Sequence, residues 1–106
     1  MKRLLALLLA ALTSCVLFSG DVTLTWDLND PVEEVTAYRI YEVQGDGSLV
    51  LKGEVSGATN VVTLTNVSPG RRTYVATAVN YWGESDRSNE AKTPPPGQPP
   101  KNVKTQ

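Results

Sequence analysis

From Asp21 onward the apolar residues recur at every second position, which constrains the fold more than any other feature of the chain. Val22, Leu24, Trp26 and Leu28 alternate with Thr23, Thr25 and Asp27. A period of two places the apolar set on one face of an extended strand and the polar set on the other, and no helix can do the same. Asn29-Asp30-Pro31 ends the run with turn-forming side chains and a fixed proline φ. A second strand is expected over Ala37–Val43, with Tyr38 and Ile40 on one face and Arg39 and Tyr41 on the other. Gly45-Asp46-Gly47-Ser48 is a strong turn, and Leu49–Val55 follows as a strand that contains Gly53. After a turn over Ser56–Asn60, Val62, Leu64 and Val67 lead into Ser68-Pro69-Gly70. Thr73–Val79 and Arg87–Thr93 complete the set. Turn signals recur about every ten residues, and no helical stripe follows Gly20, so the 21–94 body is expected to be an antiparallel β-sandwich of six or seven strands. Its core is expected from Leu24, Trp26, Tyr38, Ile40, Leu64, Val67, Tyr74, Ala76 and Ala78.

The body is flanked by segments of different character. Met1-Lys2-Arg3 precedes an apolar run from Leu4 to Phe18, interrupted only by Thr13, Ser14 and Cys15. Positive charge followed by such a run fits a helical secretory leader over residues 1–20, and the run is short for a spanning helix. Leu12-Thr13-Ser14-Cys15 resembles the bacterial lipoprotein box. That resemblance implies a cut before Cys15 and acylation of its sulfur, giving an exported chain tethered to a membrane, each buried acyl CH₂ adding roughly 0.8 kcal/mol. A simple cut near Gly20, giving a secreted or periplasmic protein, and an uncleaved anchor are the alternatives. Residues 95–106 are proline-rich and read as a stiff, disordered tail. Its closing Pro100–Gln106 also resembles the opening strand of a further module.

Composition excludes most chemistry. The chain has 106 residues, no histidine and one cysteine, so the commonest general base, an internal disulfide and a thiolate zinc site are all missing. The net charge is −1, or −3 once Lys2 and Arg3 are set aside, which disfavours nucleic acid as a partner. The carboxylates of Asp27, Asp30, Glu33, Glu34, Asp46, Glu84, Asp86 and Glu90 fall mainly in loops and at strand edges, where a small sandwich offers no groove for a catalytic pair. Asp27, Asn29 and Asp30 faintly suggest a calcium loop, but a turn fits them better. No catalytic residue, metal or cofactor is expected.

Val22-Thr23-Leu24-Thr25-Trp26-Asp27 resembles the second strand of fibronectin type III modules, and Tyr38-Arg39-Ile40-Tyr41 resembles their third. Leu64–Gly70, Ala78-Val79-Asn80, Gly83-Glu84-Ser85 and Ser88-Asn89-Glu90 resemble the later strand, corner and loop pieces, in the same order. The likeness is greatest to bacterial and phage-borne modules. It implies an immunoglobulin-like sandwich with a non-catalytic binding or spacing role. Two departures stand out. The family's corner tyrosine lies four residues after the proline, where this chain has Thr73 followed by Tyr74, and only Val16–Gly20 are left for a first strand. The resemblance also gathers Asn29–Glu34, Gly57–Asn60 and Tyr81–Asp86 at one end of the sandwich. Tyr81 and Trp82, with Glu84 and Asp86, are the expected contacts for a protein or glycan surface, because tryptophan and tyrosine bury large rigid area at small entropic cost. Alternatively Trp82 folds back as a lid on the core. A structural subunit of a virion or envelope assembly and an accessory carbohydrate-binding module are the competing roles. Arg71-Arg72 reads as a solvated corner.

Overall fold

A computed structural model describes residues 11–18, 20–94 and 104–105; the first ten residues of the expected leader and most of the expected proline-rich tail lie outside them. Two antiparallel sheets face each other. The first has the order β1 (Ala11–Phe18), β2 (Asp21–Asp27), β5 (Val61–Leu64). The second runs β4 (Leu49–Ser56), β3 (Ala37–Val43), β6 (Thr73–Asn80), β7 (Gly83–Glu84), with β8 (Ala91–Lys92) further along the same side of β6. Because β7 and β8 are halves of one interrupted strand, the sandwich has seven strand positions. Its fold is that of a fibronectin type III domain, all-β and immunoglobulin-like.

Three elements differ from the sequence reading. Residues 11–18, expected within a helical leader, are extended and pair with β2 from Ala11↔Asp27 to Phe18↔Asp21. The edge of β2 presents backbone N–H and C=O groups that need partners, and an adjoining strand satisfies them. The first strand is therefore eight residues long rather than a stub from Val16. Next, β5 ends at Leu64 because Asn66 adopts a left-handed φ of 55°. The Val67 N–H leaves the ladder to bond the Gly20 carbonyl at 2.8 Å, and Val67 is half-buried against the core.

The expected strand Arg87–Thr93 keeps only Ala91–Lys92. Between the pairs Val79↔Glu84 and Tyr74↔Ala91, β6 has four intervening residues and the last strand six, so two are surplus. Two serines absorb them. The Ser85 N–H donates to the Ala78 carbonyl while Ser85 Oγ accepts from the Ala78 N–H; Ser88 treats Ala76 in the same way. Each hydroxyl stands in for a backbone carbonyl that a bulge has turned away.

Between the sheets lie Val22, Leu24, Trp26, Tyr38, Ile40, Leu64, Tyr74, Ala76 and Ala78, all buried. The rings of Trp26 and Tyr38 are 5.4 Å apart and tilted by 55°, joining the two sheets. The central strand β6 is buried on both faces: Tyr41 and Arg39 sit opposite Val75 and Thr77 in the register, and both of these are enclosed. Replacing Trp26 by Ala should therefore cost on the order of 3–5 kcal/mol. That is most of the stability expected of so small a domain. Urea titration should show the cooperative transition lost, whereas a midpoint close to wild type would place Trp26 outside the core.

Candidate functional site

At the end of the sandwich where β2, β3 and β6 turn, three connections converge. The first follows β2. Asp30 Oδ1 accepts from the Val32 N–H at 3.0 Å and caps a single 3-10 turn, Pro31–Glu33, whose first position suits proline. From inside, the Tyr38 hydroxyl accepts from the Asn29 N–H at 2.7 Å, tying this loop to the core. Asn29 and Asp30 thus serve the turn. Among the described residues no His, Cys, Asp or Glu side chains group as a metal site, and no helix is long and apolar enough to cross a membrane. The β4–β5 connection approaches closely at Gly57, where a Cβ would meet the Val35 carbonyl oxygen at 2.0 Å.

The third connection is the turn Tyr81–Trp82 between β6 and β7. Asn80, only 7% exposed, holds its base. Its Nδ2 donates to the Glu33 carbonyl at 3.0 Å and its Oδ1 accepts from the Trp82 N–H at 2.8 Å. One buried amide therefore straps this turn to the one after β2. Gly83, at φ 136°, supplies a conformation other residues rarely adopt. The two rings beyond the strap point outward, Tyr81 being 86% and Trp82 59% exposed. They pack edge to face at 4.9 Å and 86°. Leu28 and Val32, in the connection after β2, are also exposed.

Glu84 and Asp86 lie apart from the ring pair. Glu84 projects over the outer face of the second sheet, where Oε1 meets Arg39 Nη1 at 3.0 Å and Oε2 accepts from the hydroxyls of Thr77 and Tyr41. Arg39 also reaches Glu54 at 3.5 Å. Glu84 is thus occupied as the hub of a network that covers β6. Burial alone would raise its carboxyl, but the Thr77 and Tyr41 hydroxyls and the Arg39 guanidinium outweigh that and hold it below the ordinary glutamate value of 4.5. Asp86 is exposed beyond the turn.

A second polar cluster went unread in the sequence. Arg72 is no solvated corner: Nη1 donates to Glu42 Oε2 at 3.1 Å, Nε to the Ser68 carbonyl and Nη2 to the Pro69 carbonyl. Glu42, with a side chain 10% exposed, also faces Lys52 at 3.7 Å. The guanidinium thus clamps the corner from Ser68 to Arg72, while Tyr74, one position later than the family pattern, is a buried core residue. A cleft of about 420 Å³ opens beside these groups between β4 and β5. The available signal was parity, because Glu42 shares the inward face with Tyr38 and Ile40.

No family model matches the sequence, and no curated protein matches it either. Solved structures do. An Fn3-like protein from Clostridium thermocellum superposes with a TM-score of 0.70 at 23% identity, covering 89% of this chain and 98% of that one. The fibronectin type III domain of human fibronectin type III domain containing protein 3 gives 0.67 at 16% identity, over 96% and 98% of the two chains. The FN1–FN3 domains of chicken CNTN1 give 0.67 at 19%, where 80% of this chain spans 29% of that one. These likenesses establish the fold.

The lowered Glu84 carboxyl has a signed consequence. Its folded value lies below its unfolded one, so its stabilisation is complete above pH 4.5 and is lost as the pH falls through the folded value. Glu84→Gln should lower the urea midpoint at neutral pH, with the gap to wild type closing toward about pH 2. A gap independent of pH would show that the carboxylate charge contributes nothing.

Proposed function

We propose that the chain is a non-catalytic, exported interaction module that presents the Tyr81–Trp82 turn to a partner surface and is tethered to a membrane through a lipidated Cys15. One observation carries the reading: two large aromatic rings stand exposed on a turn whose backbone is fixed from within. Exposed apolar surface costs solubility, and a rigid aromatic at such a tip gives binding energy with little entropy left to lose. The titratable groups support a non-catalytic role, since Glu84 and Glu42 are engaged in structural networks rather than facing a shared cleft with a free base. A fold shared with modules of many roles adds only analogy.

The tether rests on the Leu12-Thr13-Ser14-Cys15 box and is compatible with the sheet. A cut before Cys15 leaves Cys15–Phe18 to pair with Leu24–Asp21, a short first strand that begins at the anchor. Cys15→Ala should then move the protein from the membrane fraction to the soluble exported fraction. Identical fractionation, with no acyl mass on the mature wild-type chain, would dismiss lipidation.

Iodide should quench Trp82 fluorescence and spare Trp26. Trp82→Ala should change stability by less than roughly 1 kcal/mol, as at other surface sites. The same variant should lose affinity for a partner captured on the wild-type chain by about 2 kcal/mol or more. Protection of both tryptophans from iodide, with a large loss of stability in Trp82→Ala, would make Trp82 a lid and end the docking role of this turn.

A further inference from the structure

The charge of the domain is distributed very unevenly. Between residues 21 and 94 there are eleven Asp and Glu and six Lys and Arg, a net charge of −5. Six acids, Asp21, Glu42, Asp46, Glu54, Glu84 and Glu90, lie outside the three connections at the aromatic end, Glu84 in the network over β6. They balance the six bases, Arg39, Lys52, Arg71, Arg72, Arg87 and Lys92. Four of those bases are in ion pairs with this set: Arg39 with Glu54 and Glu84, Lys52 and Arg72 with Glu42, and Lys92 with Glu90. The remaining five acids are Asp27, which ends β2, Asp30, Glu33 and Glu34, in the connection that follows it, and Asp86, past β7; the first four belong to the end that carries Tyr81–Trp82. None of the five is in an ion pair among the described residues. No Lys or Arg occurs in residues 28–36, 57–60 or 81–82, the three connections at this end.

Resting on the reading of the Tyr81–Trp82 turn as the docking end, we infer that its partner is a cationic protein surface, with a Lys or Arg side chain seated on the exposed aromatic pair inside an acidic rim. The indole face is the best of the side-chain rings for holding a cation, and the carboxylates around it add to the attraction. Four like charges on one end also focus the field there and speed the encounter with a basic partner. Anionic partners are repelled by the same field. Neutral glycans gain nothing from it, and they stack best on a flat platform, whereas these rings meet at 86°.

The test titrates the full chain with an oligolysine peptide, an oligoglutamate peptide and cellohexaose, reading Trp82 fluorescence at low and high salt. Oligolysine should alter Trp82 emission, bind more tightly than the other two probes, and weaken as salt rises. Asp27→Asn, Asp30→Asn and Glu34→Gln combined keep side-chain shape, and Asn retains the cap at position 30. This triple variant should melt as wild type does and bind oligolysine about tenfold more weakly or worse. By isothermal titration calorimetry, which needs no tryptophan signal, Trp82→Ala should also bind oligolysine about tenfold more weakly or worse. The cationic partner is overturned if oligolysine binds no better than oligoglutamate, or if the triple variant binds as wild type does. Should cellohexaose alone perturb an iodide-accessible Trp82, the docking turn stands and its partner is a glycan.

Discussion

The contact of Trp26 with Tyr38 governs much of what lies above it. One ring comes from β2 in the first sheet and the other from β3 in the second, so their 5.4 Å packing sets how the sheets meet. Shifting either strand by a single residue would turn its whole apolar face outward. Tyr38 then extends the effect beyond the core, because its hydroxyl accepts from the Asn29 N–H and fixes the loop after β2. Through Asn80, that loop in turn fixes the Tyr81–Trp82 turn. A chain of direct contacts thus runs from the centre of the sandwich to its most exposed aromatic rings, and the rigidity of the tip is inherited from the core.

The edges of the second sheet are closed by chemistry rather than by covering elements. On one side Ser85 and Ser88 replace main-chain acceptors with hydroxyls, so the strand bulges twice and offers no regular ladder to a neighbour. On the other, β4 carries the charged side chains Lys52 and Glu54, held to Glu42 and Arg39 of β3. The outer face of β6 is sealed by the Arg39–Tyr41–Thr77–Glu84 network, which lets a central strand bury both sides in a domain with only two layers.

What the sequence conveyed tracks how local the governing interaction is. Strict alternation in 22–27 and 37–43 reports a pattern of two residues, and the strands β2 and β3 follow it, whereas Leu28, read as the next member of the apolar face, lies past the end of β2 and is exposed. The turn at Tyr81–Trp82 was legible because Asn80 and Gly83 bracket it, whereas the sequence left open whether Trp82 points outward or folds back on the core. The interrupted last strand was not, since a serine hydroxyl substituting for a carbonyl leaves no mark on periodicity. Arg72 escaped for a similar reason: its partners, Glu42, Ser68 and Pro69, come together only once the corner has formed. Residues 11–18 carry two signals at once. An apolar run behind two positive charges reads as a leader, yet Thr, Val and Phe also suit a strand, and only the presence of β2 beside them decides the conformation.

If the chain is cut as proposed, the pairing of residues 11–18 with β2 is what the cut would shorten. The pairs of β1 with β2 run in order from Ala11↔Asp27 down to Phe18↔Asp21, with a register shift between Leu12 and Ser14, so trimming from the front uncovers the β2 edge step by step except at that shift. A cut before Cys15 leaves the lower part of that edge paired, while a cut near Gly20 strips it bare. Proteolytic processing in this region would then act as a ruler whose setting fixes how much sticky backbone the folded domain shows to its surroundings.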